Sequence, residues 1–151
     1  MENVHYYDTE VGWLGKRMGY LRSSADLPML EVASPPEFQG QPNTWTPEHL
    51  FVASLNACYM ATFIAIAELS KLEIASFTSK AVGKLEKAEL QGYRITEIVL
   101  KPALVLKHER DFERARRILE KSEKNCFISN SILTKVKLEP EILCEGMAVG
   151  A

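Results

Sequence analysis

From Phe51 to Ala67 the chain carries no charged residue, whereas the segments on either side mix polar and apolar positions at short intervals. An uncharged run of that length exceeds a strand and predicts a helix. Thr46-Pro47-Glu48 announces its start: a threonine suits the N-cap, proline suits the first helical position, and glutamate complements the positive helix end. The helix is expected to run to about Ser70. Apolar side chains on nearly every face predict burial on most sides.

Before this helix the pattern reads as strands and turns. Val4 to Tyr7, Arg17 to Leu21 and Met29 to Ala33 are expected strands, the last ending at Ser34-Pro35-Pro36. Gly12, Gly15 and Gly19 are expected at tight connections, and Gly40 to Asn43 forms a loop by composition. After the helix, Ile74 to Glu86 and Tyr93 to Leu106 alternate and are rich in β-branched residues. They predict an antiparallel hairpin connected through Lys87 to Gly92. Pro102 inside the second strand argues for an edge or a bulge. Asp111 is placed to cap a second helix, with Phe112, Ala115, Ile118 and Leu119 as its apolar stripe. Asn125-Cys126 interrupts that helix, Ile128 to Leu133 reads as a short turn or helix, and Lys135 to Leu138 as a last strand. The order predicts an α+β fold in one domain, 1–151, with no repeat.

Composition narrows the function. The 151 residues are 46% apolar and 25% charged, with a formal charge of −2, which is ordinary for a globular protein. Basic residues are scattered. The densest run, Arg110 to Arg117, is interleaved with Asp111 and Glu113 and reads as a solvated helix face, so no nucleic-acid partner is expected. Met1 to His5 lacks the basic start and apolar stretch of a signal peptide, which predicts a cytoplasmic protein. Phe51 to Ala67 sits at the lower edge of a spanning length. Ser54, Asn56 and Thr62 dilute it and His49 and Glu68 flank it, so a helix buried in protein is expected rather than a membrane span.

The chemistry centres on three cysteines, an odd number that argues against a disulfide framework. No C-x-x-C occurs and the histidines stand far away, so no metal site is expected. Cys58, mid-way along the apolar helix, is either a small core hydrophobe or a reactive thiol. Residues on its face one turn back, Ser54 and Leu55, bring no positive charge, so a thiolate there needs charge from another segment. Cys126 opens a short segment after a polar run. A helix start would lower its pKa, and the bland alternative is a half-buried loop residue. Cys144 adjoins Glu145, whose charge disfavours a thiolate, and reads as a spectator.

The stretch Thr46-Pro47-Glu48-His49-Leu50-Phe51-Val52-Ala53-Ser54-Leu55-Asn56-Ala57-Cys58 resembles the helix-opening signature of the OsmC/Ohr family. In that family a Pro-Glu pair starts the helix bearing the peroxidatic cysteine. Asn125-Cys126-Phe127-Ile128-Ser129-Asn130-Ser131 resembles the family's second-cysteine segment, with Phe127 where many members place proline. Gly15-Lys16-Arg17-Met18-Gly19 resembles the glycine-flanked arginine of its organic hydroperoxide members, and Arg22 is a second candidate for that arginine. The resemblance implies an OsmC-like fold, with antiparallel sheets around a long central buried helix, in an intertwined homodimer. It implies a thiol-dependent peroxidase that reduces organic hydroperoxides and hydrogen peroxide more poorly. No cofactor is implied; an external thiol or lipoyl-type dithiol restores the enzyme. Cys58 would be the peroxidatic thiol and Cys126 the resolving one, Arg17 would hold the thiolate and orient the peroxide, and Glu48 would pair with Arg17. Met60 and Phe127 are candidates for an apolar peroxide pocket. The competing reading is a non-catalytic protein of the same fold that senses oxidants or carries a small apolar ligand.

Overall fold

The computed structural model describes residues 3–146, and the chain falls into two compact units that divide between Leu50 and Phe51. In the first unit, β1 (Glu10–Gly15), β2 (Met18–Arg22) and β3 (Leu30–Ala33) form an antiparallel sheet in that order. Two of the strands match their expected positions. Val4 to Tyr7, expected as a strand, forms no strand, and Tyr6 and Tyr7 are 91% and 93% exposed. The first strand begins at Glu10 instead, because its residues have a partner: Glu10 lies opposite Arg22 and accepts both Arg22 Nε at 2.8 Å and Nη2 at 3.1 Å.

The glycines divide differently from expectation. Gly15, with φ +112°, makes the β1–β2 turn, which L side chains would resist. Gly12 and Gly19 lie inside the strands. A Cβ on Gly12 would stand 2.2 Å from the Tyr20 ring across the ladder, so the absent side chain makes room for the ring.

The long helix α1 spans Pro47–Leu69, as the N-terminal signals predict. Thr46 Oγ1 accepts the His49 N–H at 3.0 Å, which satisfies one of the donors a helix start leaves free. At the other end Lys71 adopts a left-handed φ of +57°, and Leu72 N–H returns to the Ala67 carbonyl at 2.9 Å, the Schellman closure.

In the second unit β4 (Ile74–Ala88) and β5 (Gly92–Leu106) form the expected hairpin. A helix, α2 (Phe112–Lys124), then leads to β6 (Lys135–Leu138) and an unanticipated β7 (Glu141–Cys144). Both of these short strands pair with β5 in parallel, as a crossover through a helix allows. Central β5 therefore corrects the edge expected from Pro102. The proline sits where β5 changes neighbour, after Leu100 pairs with Leu138 and before Ala103 pairs with Glu141. Leu100 and Leu106 turn their carbonyls toward these strands, and strand alternation turns position 102 the same way. The missing N–H thus falls at the break in the ladder, where none is needed.

Four residues of α1 at helical spacing, Leu55, Tyr59, Phe63 and Ala67, are buried. They join Ile98, Leu100, Leu104 and Leu106 of β5 and Ala115, Ile118 and Leu119 of α2 in one core. Phe63 stacks on Phe77 with ring centroids 4.8 Å apart. The Tyr59 hydroxyl donates to the Leu119 carbonyl at 3.0 Å and ties α1 to α2. Phe112 leaves the expected stripe and lies under the Arg116 guanidinium. Asp111 stands at the N-cap position without capping; its carboxylate takes Arg114 Nη2 at 3.0 Å instead.

Burial of α1 on most sides is the largest expectation to fail for the chain alone. The helix has 23 residues, and its most apolar 18-residue stretch has a mean hydropathy of 1.9, enough by length and composition to cross a membrane, with 22% of that stretch buried. A helix apolar all round offers several faces, and this chain's own sheet and second helix cover one row of it.

Candidate functional site

Cys58 lies about one turn after Leu55 and directly before Tyr59, beside that buried row, and is half-exposed, while Cys126, just past the end of α2, is fully buried. The two thiols, distant in sequence, meet by hydrogen bonding to each other. Around the Cys58 sulfur the chain also gathers the backbone N–H groups of Ile128 and Phe127 and the hydroxyl of Thr62. Desolvation by burial is the largest single influence and opposes ionisation there. The Ile128 amide, the Cys126 thiol, the Thr62 hydroxyl and the Phe127 amide together outweigh it, so the Cys58 thiol lies below the ordinary thiol range. Donors aimed at one sulfur favour its anion.

Cys126 goes the opposite way. Burial, reinforced by the hydrogen bond and negative charge of Cys58, pushes its thiol up to about 11 against the pull of the Ser129 and Ile128 amides. This corrects the expectation that the start of a short helical segment would lower it. The helical segment is only one 3-10 turn, Ser129–Ser131, and the amides just before it, of Phe127 and Ile128, face Cys58. Of the two thiols Cys58 is the one that ionises first, and Cys126 is the one that keeps its proton.

Sequence reasoning missed three of the groups at Cys58. Thr62 had a signal, since residues four apart share a helix face and it lies one turn after Cys58. The Phe127 and Ile128 amides had none, because backbone donors leave no mark in residue type.

In the first unit Arg17 lies in the β1–β2 turn and its Nη1 donates to the Phe38 carbonyl at 2.7 Å. It lines a cavity of about 310 Å³ with Trp13, Met18, Val32, Ala33 and Pro47 among its walls. Glu48 stands in the first turn of α1 with Oε2 buried and without a hydrogen-bond partner. Among the described residues no ion pair joins Arg17 to Glu48, and Arg22 is engaged with Glu10. Cys144, at the end of β7, pairs with Leu106 and has no part in the thiol pair. No group of three or more metal-ligating side chains comes together among the described residues.

A half-exposed helix thiol set against a buried one defines a dithiol protein of α+β class. The chain belongs to the OsmC family: the family model described as OsmC-like protein matches residues 40–141. That family is soluble, thiol-based and free of cofactors, and its members are generally dimers. The uncharacterized protein YmaD of Bacillus subtilis is 24% identical over 91% of this chain and 93% of its own length. An OsmC-like protein of unknown function from Vibrio cholerae shares the fold at a TM-score of 0.83, with 24% identity over 91% of this chain and 99% of that one. Organic hydroperoxide resistance proteins from Legionella pneumophila and Elizabethkingia anophelis share it at a TM-score of 0.76 each. Their identities are 20% and 21%, over 94% and 95% of this chain and 99% of each of theirs.

Proposed function

We propose that this chain is a cytoplasmic, homodimeric thiol peroxidase that reduces organic hydroperoxides, with Cys58 peroxidatic and Cys126 resolving. The observation that carries the reading is the hydrogen bond between these two thiols, with Cys58 lowered and Cys126 raised. A lowered thiol supplies the nucleophile. Its sulfur attacks one peroxide oxygen, the O–O bond breaks, and the departing alkoxide takes a proton to leave as the alcohol. Cys58 is then a neutral sulfenic acid. The charge that helped hold the proton on Cys126 is gone, so Cys126 ionises more readily and attacks the Cys58 sulfur. The S–S bond forms, hydroxide leaves and is protonated to water. An external thiol or lipoyl-type dithiol then returns both cysteines to the reduced state.

Other features support the reading. Arg17 would orient the peroxide, and it is not held by a carboxylate among the described residues, unlike Arg22. Glu48 would pair with that guanidinium, and its buried Oε2 lacks a donor, a costly arrangement until one arrives. Phe127 is 81% and Met60 47% exposed, which gives apolar surface for the organic part of a substrate. The uncovered sides of α1 support a second copy as their cover.

Consumption of cumene hydroperoxide with dithiothreitol or dihydrolipoamide as reductant tests the proposal. Cys58→Ser should abolish turnover, and Cys126→Ser should block the intramolecular disulfide, seen by mass spectrometry as the loss of two hydrogens. Turnover by Cys58→Ser at the parent rate would overturn it. Parent protein left unmodified by peroxide would favour the non-catalytic reading.

A further inference from the structure

The amides that face Cys58 belong to a turn, and a turn holds its donors in place only if something holds the turn. Asn125, Asn130 and Ser131 tie it locally: Asn125 Nδ2 donates to the Lys121 carbonyl at 2.8 Å, Asn130 Nδ2 to the Lys124 carbonyl at 3.2 Å, and Ser131 Oγ to the Phe127 carbonyl at 2.7 Å. All three side chains are exposed, where water competes for the same groups. One tie differs. Ser129 Oγ donates to Glu123 Oε1 at 2.7 Å in a part-buried setting, and a hydrogen bond to a carboxylate is the stronger kind. It links the last turn of α2 to the residue just beyond Phe127 and Ile128. The same residues bracket Cys126 at even spacing, Glu123-x-x-Cys126-x-x-Ser129, and Cys126 N–H returns to the Glu123 carbonyl at 3.3 Å.

We infer that Ser129 and Glu123 are positioning residues for Cys58, their hydrogen bond fixing the turn that presents the Phe127 and Ile128 amides to its sulfur. The inference rests on Cys58 being the reactive thiol of the proposed function. Neither side chain touches the reacting sulfur; both act through the backbone between them. The carboxylate serves here as a hydrogen-bond acceptor, so an amide in its place keeps the tie.

The test is the rate of Cys58 alkylation by iodoacetamide against pH, read on the Cys58 peptide by mass spectrometry in the full-length protein. Ser129→Ala should raise the midpoint by about one pH unit and slow alkylation near neutrality about tenfold. Ser129→Thr and Glu123→Gln, which keep a donor and an acceptor, should follow the parent curve. Glu123→Ala breaks the tie from its other end and carries the test should Ser129→Ala fail to fold. A loss of stability alone would lower the melting temperature without moving this midpoint. Superposition of the Ser129→Ala or Glu123→Ala curve on the parent's overturns the inference, as does a Glu123→Gln curve displaced as far as that of Ser129→Ala. Normal peroxide turnover with an unmoved midpoint removes this inference and leaves the proposed function. A moved midpoint without turnover in the parent does the reverse.

Discussion

The sulfur of Cys58 accepts a hydrogen bond from the thiol of Cys126, and the contact makes the first a better anion and the second a worse one. Two cysteines of equal intrinsic acidity are thereby given separate parts by their surroundings. The half-exposed one can be reached by a solute, and the buried one keeps its proton.

Differential alkylation checks this division. At neutral pH iodoacetamide is expected to label Cys58 well ahead of Cys126. Labelling of Cys126 in the folded protein should stay slow until the pH approaches 11. Equal rates for both would show that the thiols do not share a proton.

Stability should respond to alkali through Cys126. Its folded value of about 11 lies above the ordinary 9.0, so between those values the folded protein holds a proton that the unfolded chain has lost. That contribution is whole below pH 9 and drains away as the pH rises through 11. Cys58 has the opposite sign: its lowered value gives stability present above 9.0 and lost as the pH falls through its folded value. Urea midpoints between pH 8 and 11 are expected to fall for the parent and to fall less for Cys126→Ala.

Gly83 of β4 lies against α1, where an added Cβ would stand 2.5 Å from Val52 Cγ2. Valine is stiff at its first torsion and yields little. Gly83→Ala is expected to cost about 1–3 kcal/mol in chemical denaturation. The double variant with Val52→Ala should cost less than the two single changes added together. Simple additivity would mean the two residues do not collide.

Tyr59→Phe removes the buried bond from its hydroxyl to the Leu119 carbonyl, and the loss should be about 1–2 kcal/mol. Burial first, then the charges of Glu123 and Cys126, push the Tyr59 phenol well above its usual range. It therefore remains a donor at every pH the fold survives. Absorbance at 295 nm should show one tyrosine that ionises only on unfolding, and this step should vanish in the variant.

Much of the architecture was legible because its signals are local. Thr46-Pro47 fixes the start of α1, and the alternation around Ile74 and Tyr93 fixes the hairpin. Expectations failed where a residue's state depends on a neighbour brought from afar. Val4 to Tyr7 has strand composition and forms no strand, and Pro102 is central because two short parallel strands meet beside it. Asp111 reaches Arg114 instead of the helix N–H groups. At the site, Cys58 and Cys126 were marked by their sequence surroundings, yet the acidity of each depends on burial and on donors and thiol brought together by the fold. The amides of Phe127 and Ile128 could be placed only by folding.

The position of the thiol pair has one more consequence. Cys58 lies within α1 and Cys126 beyond α2, so a bond between their sulfurs would close a covalent ring around the whole β4–β5 hairpin and the second helix. Closing so long a loop restricts the unfolded chain, a gain of about 2–4 kcal/mol in similar cross-links. The oxidised form should therefore melt later and exchange the amides of β5 more slowly than the reduced one, making rigidity itself a readout of redox state.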